Sequence, residues 1–158
     1  MRYYVDNELN NFLENNVEDV IELIKKAYEK TREFYNGTFI DDFLYFPANN
    51  TFNNGYCFYF ARMLKTIYKN ASFVVRDKHY AHIGHIFILI NEKVYDVNGE
   101  HTLKGYYVLT DKELRMIGLN HHEVNEKVYE TFKEYFHKYL NNYVKFNNTV
   151  IDNIKKCS

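Results

Sequence analysis

The sequence predicts an α+β fold, and three observations carry that prediction. Apolar residues recur at helical spacing near both ends of the 158-residue chain, short β-rich runs cluster between positions 72 and 109, and a glycine-bearing loop turns directly into an apolar helix at Gly55-Tyr56-Cys57. The cysteine-bearing helix is expected to pack on a small antiparallel sheet, with long helices flanking it on the N- and C-terminal sides.

The elements follow in order. A short helix is expected over residues 8–14. Val17, Val20, Ile21, Ile24, Ala27 and Tyr28 then share one helical stripe that stops near Asn36-Gly37, which predicts a long helix. Residues 38–55 read as an irregular loop, with Pro47 and the polar run Asn49-Asn50-Thr51-Phe52-Asn53-Asn54-Gly55 as its breakers. The next helix is placed over 56–69, where Cys57, Ala61, Leu64 and Tyr68 fall on one face. Strands are expected over 72–76, 84–90, 93–97 and 106–109. Thr110, followed by Asp111 and Glu113, opens a short helix that ends near Gly118. Val124, Val128, Phe132, Tyr135, Phe136, Tyr139, Leu140 and Tyr143 trace a long amphipathic helix, and the residues from Phe146 onward are expected to fray or to pack weakly. No repeat or second domain is visible, so residues 1–158 read as one domain with its core at about 53–110 and helical extensions on both sides.

Composition narrows the function classes. An apolar share of 46% and an aromatic share of 18% are enough to fill a core. Twenty basic and 21 acidic side chains give a formal net charge of −1, which implies no bulk attraction to nucleic acid or to an anionic membrane. Cys57 and Cys157 are the two cysteines, too few for a disulfide framework. The first residues lack the apolar core of a secretory signal, and the longest aliphatic run, residues 86–90, is too short to span a bilayer. The expectation is a cytoplasmic protein with a protein or peptide as substrate or partner. Triplets such as Asn36-Gly37-Thr38 match a glycosylation acceptor by chance in so asparagine-rich a chain.

The chemistry is concentrated around Cys57. A cysteine at a helix start faces amide groups with no internal partner and the positive end of the macrodipole, an environment that favours the nucleophilic thiolate. Its base is sought in Gly84-His85-Ile86-Phe87, and a carboxylate follows in Tyr95-Asp96-Val97-Asn98-Gly99. A two-residue turn at Asn91-Glu92 would pair Leu89 with Val94, Phe87 with Asp96 and His85 with Asn98. His85 and Asp96 then become diagonal neighbours on one face, within reach of a histidine–carboxylate hydrogen bond. The register holds equally for a four-residue turn, whereas a three-residue turn reverses the face of Asp96, and Asn-Glu is a weak hairpin turn. His82, an odd number of residues from His85, would face away if the strand began that early, ahead of Gly84. Cys57 as nucleophile, His85 as acid/base and Asp96 as orienting carboxylate form the candidate set. Donors for a tetrahedral oxyanion are sought in the Cys57 amide and among Asn53 and Asn54, with Tyr56 and Asn98 lining the site.

The order Gly-x-Cys on a helix, Gly-His opening an apolar strand and Tyr-Asp-x-x-Gly on the next strand resembles the papain-like superfamily in its broad sense. It is similar also to small phage and bacterial proteins with a Cys–helix, His–strand, Asp–strand order, and to transglutaminase-like and cell-wall peptidase domains. Gly55-Tyr56-Cys57, Ala61, Leu64, Gly84-His85 and Tyr95-Asp96-Val97-Asn98-Gly99 carry the resemblance, which covers residues 53–99. It implies a papain-like core and a Cys-His-Asp geometry. Two departures stand out: Asn50 and Thr51 occupy the neighbourhood where papain-type proteases place a glutamine, and no tryptophan follows the cysteine.

Plainer readings stand beside these. A single cysteine on an apolar helix face commonly serves as a small buried hydrophobe. His79, His82 and His85 have a three-residue spacing that would align on a helix, but Gly84 and the β-rich run after it argue against a helix there, so neither a metal nor another cofactor is expected. His121-His122 fits a solvated helix start, and His101 fits a loop near enough to Asp96 to line the same cleft. The aromatic stripe of residues 128–143 reads as core. Two functional expectations result: a cysteine-dependent hydrolase or acyl transferase acting on a peptide, isopeptide or side-chain amide, and a protein-binding factor of phage or mobile-element origin that kept the scaffold without turnover.

Overall fold

The structure is a computed structural model in which residues 7–36, 42–76, 84–120 and 123–157 are described. Helices α1 (Asn7–Asn15) and α2 (Val17–Phe34) lead, followed by a short 3-10 helix (Asp42–Leu44), α3 (Ala48–Asn53) and α4 (Cys57–Ile67). Strands β1 (Ser72–Val75), β2 (Ile86–Ile90), β3 (Lys93–Asp96), β4 (Gly99–His101) and β5 (Tyr107–Val108) come next, and α5 (Asp111–Asn120) and α6 (Glu126–Cys157) close the chain. The architecture is α+β. Every strand pairing is antiparallel, in the order β4-β3-β2-β1-β5.

The helix-spacing stripe of α2 is buried as expected, from Val17 through Tyr28, and it packs along α6. Phe132, Phe136 and Leu140 of α6 are fully buried in the same cluster, so apolar burial locks the two long helices against the rest of the fold. Tyr28 lies at the junction of aromatic rings from Phe43, Phe52 and Phe132. Its hydroxyl is hydrogen-bonded to the carbonyl oxygens of Phe43 and Phe46, at 2.6 Å each, and to Thr51 Oγ1 at 2.7 Å. That single hydroxyl fastens the segment ahead of Cys57 to α2.

Two expectations are corrected here. The stretch read as an irregular loop contains α3, because its asparagines satisfy helical carbonyls instead of breaking the helix. Asn53 Nδ2 donates to the Asn49 carbonyl and Asn54 Nδ2 to that of Asn50, while the Ala48 amide of the first turn donates to Glu29 Oε1. Phe146 is 68% exposed, in keeping with the weak packing expected there, but the tail does not fray: α6 continues to Cys157, and no glycine or proline interrupts it. Thr110 behaves as expected, since its hydroxyl accepts from the Glu113 amide while the Glu113 carboxylate accepts from the Thr110 amide.

The β2–β3 hairpin adopts the expected register, with Ile90 opposite Lys93, Leu89 opposite Val94 and Ile88 opposite Tyr95. Asn91 and Glu92 both take positive φ, 47° and 69°, as a two-residue turn that follows strand twist requires. One sheet face, with Ile86, Ile88, Ile90, Tyr95 and Val97, belongs to the core that holds Cys57; the other carries Val74, Phe87 and Val94. The alternation has period two.

Candidate active site

Gly55, at φ 103°, makes the turn that delivers the chain into α4, a conformation that strains any residue with a Cβ. Cys57 is the first residue of α4, and Tyr56 at the N-cap makes no side-chain capping hydrogen bond. The thiol is 6% exposed and packs with Ala61, Leu64 and Tyr68 in the core, as the stripe predicts. The Ile86 amide, at the start of β2, donates to Cys57 Sγ at 3.4 Å. An N–H aimed at sulfur suits negative charge on it.

His85 immediately precedes that amide. Its Nε2 lies 2.8 Å from Asp96 Oδ2, and the Cys57 side chain is close enough to act on its protonation. Burial works against charge on this imidazole, but the bonds to Asp96 and Cys57 outweigh it and push the His85 pKa up to about 9. Burial also opposes ionisation of Asp96, which is 4% exposed; hydrogen bonds from His85, the Asn98 amide and His101 win, and its pKa falls below the usual carboxylate range. Cys57, His85 and Asp96 are thus brought together. His85 and Asp96 belong to the sheet face opposite the helix-covered side that holds the thiol, and the sites adjoin at the end of the sheet, where the amide of Ile86, next to His85, donates to Cys57 Sγ.

Asn98 is a correction. It does not pair with His85 across a ladder, because β3 ends at Asp96 and the chain turns through Val97 and Asn98 into β4. Its amide donates to Asp96 Oδ1 at 2.8 Å, a local bond that closes the turn. The Asn98 side chain exchanges hydrogen bonds with Asn53, 3.0 and 3.3 Å long, and ties α3 to this turn. Asn54 spends its side-chain N–H on Asn50, and Tyr56 is buried against Phe43 and Tyr59. Thr51, at the position near which papain-type proteases carry glutamine, points inward to Phe46 and Tyr28. These placements leave backbone amides at the start of α4 as the candidate oxyanion donors.

Strand β4 lies beyond the strands that the sequence pattern predicts, and it brings a further residue. His101 pairs with Val94 across β3 and β4, diagonal to Asp96, and its Nε2 is 2.6 Å from Asp96 Oδ1. The Asn98-Gly99 dipeptide is the sequence signal that marks this second hairpin. The ring of Phe87 stands edge-on between the two imidazoles, 4.7 Å from His85 and 5.2 Å from His101. His79, His82 and His121-His122 lie outside the described residues. Among the described residues no group of three or more His, Cys, Asp or Glu side chains is arranged to hold a metal ion. None of the helices there is long and apolar enough to cross a membrane.

A groove of about 590 Å³ opens beside the start of α4, with Tyr45, Phe46, Asn54 and Tyr56 among its walls. Tyr45 and Phe46 are 56% and 59% exposed.

Comparison with curated proteins returned no match, and neither did comparison with solved structures. A model of one protein family does match, over a span that runs from α2 into α6 and includes Cys57, His85, Asp96 and His101. That family is described as Phage YunG-like protein, which supports a phage origin, and because the match takes in residues 20–145 of 158, the chain belongs to the Phage YunG-like protein family.

Proposed function

We propose that the protein is a cysteine-dependent hydrolase or acyl transferase on a papain-like scaffold, acting on a peptide, isopeptide or side-chain amide. The observation that carries the reading is the placement of His85: its Nε2 lies 2.8 Å from Asp96 Oδ2, and the amide of the next residue, Ile86, donates to Cys57 Sγ at 3.4 Å. In the first step the Cys57 sulfur, its proton already held by His85, attacks the carbonyl carbon, and the tetrahedral oxyanion is held by amides at the start of α4. His85 then returns the proton to the leaving nitrogen, the C–N bond breaks, and an acyl thioester remains on Cys57. Water or an amine discharges it by the reverse sequence, giving hydrolysis or transfer. Asp96 keeps the imidazole in one tautomer and stabilises its protonated form.

p-Nitrophenyl acetate is a direct probe of this chemistry. Attack by sulfur on the ester releases p-nitrophenolate and leaves an acetyl group on Cys57, which peptide mass spectrometry locates. Acetylation at Cys57 that His85→Ala slows at least about a hundredfold is expected. Absence of the adduct, or equal acetylation in His85→Ala, contradicts the reading.

A second reading, a protein-binding factor that uses the scaffold without turnover, is favoured by the exposed Tyr45–Phe46 pair on the wall of the groove and by the phage family match. Biological activity that survives Cys57→Ala would select it.

A further inference from the structure

We propose that His101 is a positioning residue for this site: by occupying Oδ1 of Asp96 it fixes the carboxylate so that Oδ2 stays on His85. The inference rests on the cysteine-chemistry reading above. A carboxylate is acceptor-only, so the His101 nitrogen 2.6 Å from Oδ1 carries the proton and donates. Asp96 is thereby held from both flanking strands, by His101 on β4 and by His85 at the entry to β2, and rotation about its terminal torsion would break a hydrogen bond on each side. Loss of His101 leaves Oδ1 with the Asn98 amide, a donor from the same turn that moves with Asp96. Phe87 adds a steric element, since its ring lies against both imidazoles and sets the distance between them. Asp96 is nearly buried, so little water is at hand to replace the missing donor.

The test uses the alkylation rate of Cys57 by iodoacetamide, read by peptide mass spectrometry so that Cys157 does not contribute. His101→Ala removes ring and donor, His101→Phe keeps an aromatic ring beside Phe87 without the donor, and His101→Gln keeps an N–H the same number of bonds from the backbone. Alanine and phenylalanine are expected to slow alkylation about tenfold and glutamine to restore it. If all three variants label at the wild-type rate while His85→Ala slows labelling, the positioning role is wrong and the cysteine–histidine reading stands. If glutamine is as slow as alanine in a protein of unchanged circular dichroism, the donor is not what matters and the inference fails. A wild-type Cys57 indifferent to His85→Ala brings down both.

Discussion

Asp96 holds His85 through a 2.8 Å hydrogen bond between Oδ2 and Nε2, and this contact, with the bond to Cys57, raises a half-buried imidazole to a pKa of about 9 against the desolvation that opposes its charge. A histidine so placed stays protonated at neutral pH. Titration of its ring protons by NMR is expected to give a midpoint near 9 in the wild type, falling back toward the ordinary 6.5 in Asp96→Asn, which removes the negative charge and keeps the shape. A wild-type midpoint near 6.5 would remove the electrostatic basis of the site.

Stability should follow the same titrations. The folded His85 binds its proton more tightly than the unfolded one, so its contribution is fully present below pH 6.5 and is lost as the pH rises through about 9. Asp96 acts at the other end, where its lowered pKa adds stability that is present above the unfolded value of 3.8 and disappears as acid protonates the folded carboxylate. Urea midpoints measured across pH are expected to fall at both ends, and the alkaline fall should shrink in His85→Asn. An unchanged alkaline slope would contradict the assignment.

Gly99 pins the second hairpin. Its φ is +104°, and a Cβ there would lie 2.7 Å from Glu18 Oε2, whose partner oxygen accepts the Glu100 amide. Glu18 can swing aside, so the backbone conformation is the larger cost. Gly99→Ala is expected to destabilise the fold by about 1–3 kcal/mol and to disturb His101 two residues on, a change visible in the His101 ring resonances. A neutral effect on thermal unfolding would show that the turn tolerates a side chain.

Tyr28 offers a test remote from the sulfur. Tyr28→Phe keeps the ring among Phe43, Phe52 and Phe132 but strips two carbonyls and Thr51 of their shared partner. A loss of about 1–3 kcal/mol in chemical denaturation is expected. Loosening of the segment ahead of α3 should appear as faster amide exchange between residues 42 and 54.

Much of this site was legible because burial and strand parity are local rules. The stripe Cys57, Ala61, Leu64 and Tyr68 predicted which way the thiol faces, and the register of Leu89 with Val94 predicted that His85 and Asp96 share a face. What escaped depended on competition between local signals. Asparagine favours loops by propensity, yet in α3 its side chains close i−4 carbonyls. Asn98 was extended along a strand because Tyr95-Asp96-Val97 reads as β, while Asn98-Gly99 carried the stronger turn signal; recognising it would have revealed β4 and moved His101 from a loop to the far oxygen of Asp96. The corner at the sheet end, where a thiol from one side meets a histidine of the other, has no signature in periodicity.

The central claim is that Cys57 reacts through His85, and the rate of iodoacetamide alkylation at Cys57, compared at pH 7 between the wild type and His85→Ala, tests it most directly. The expected result is a wild-type rate at least about tenfold above that of the variant, with the labelled peptide confirming Cys57. Equal rates, or a Cys57 that stays unlabelled in the native protein, would contradict it.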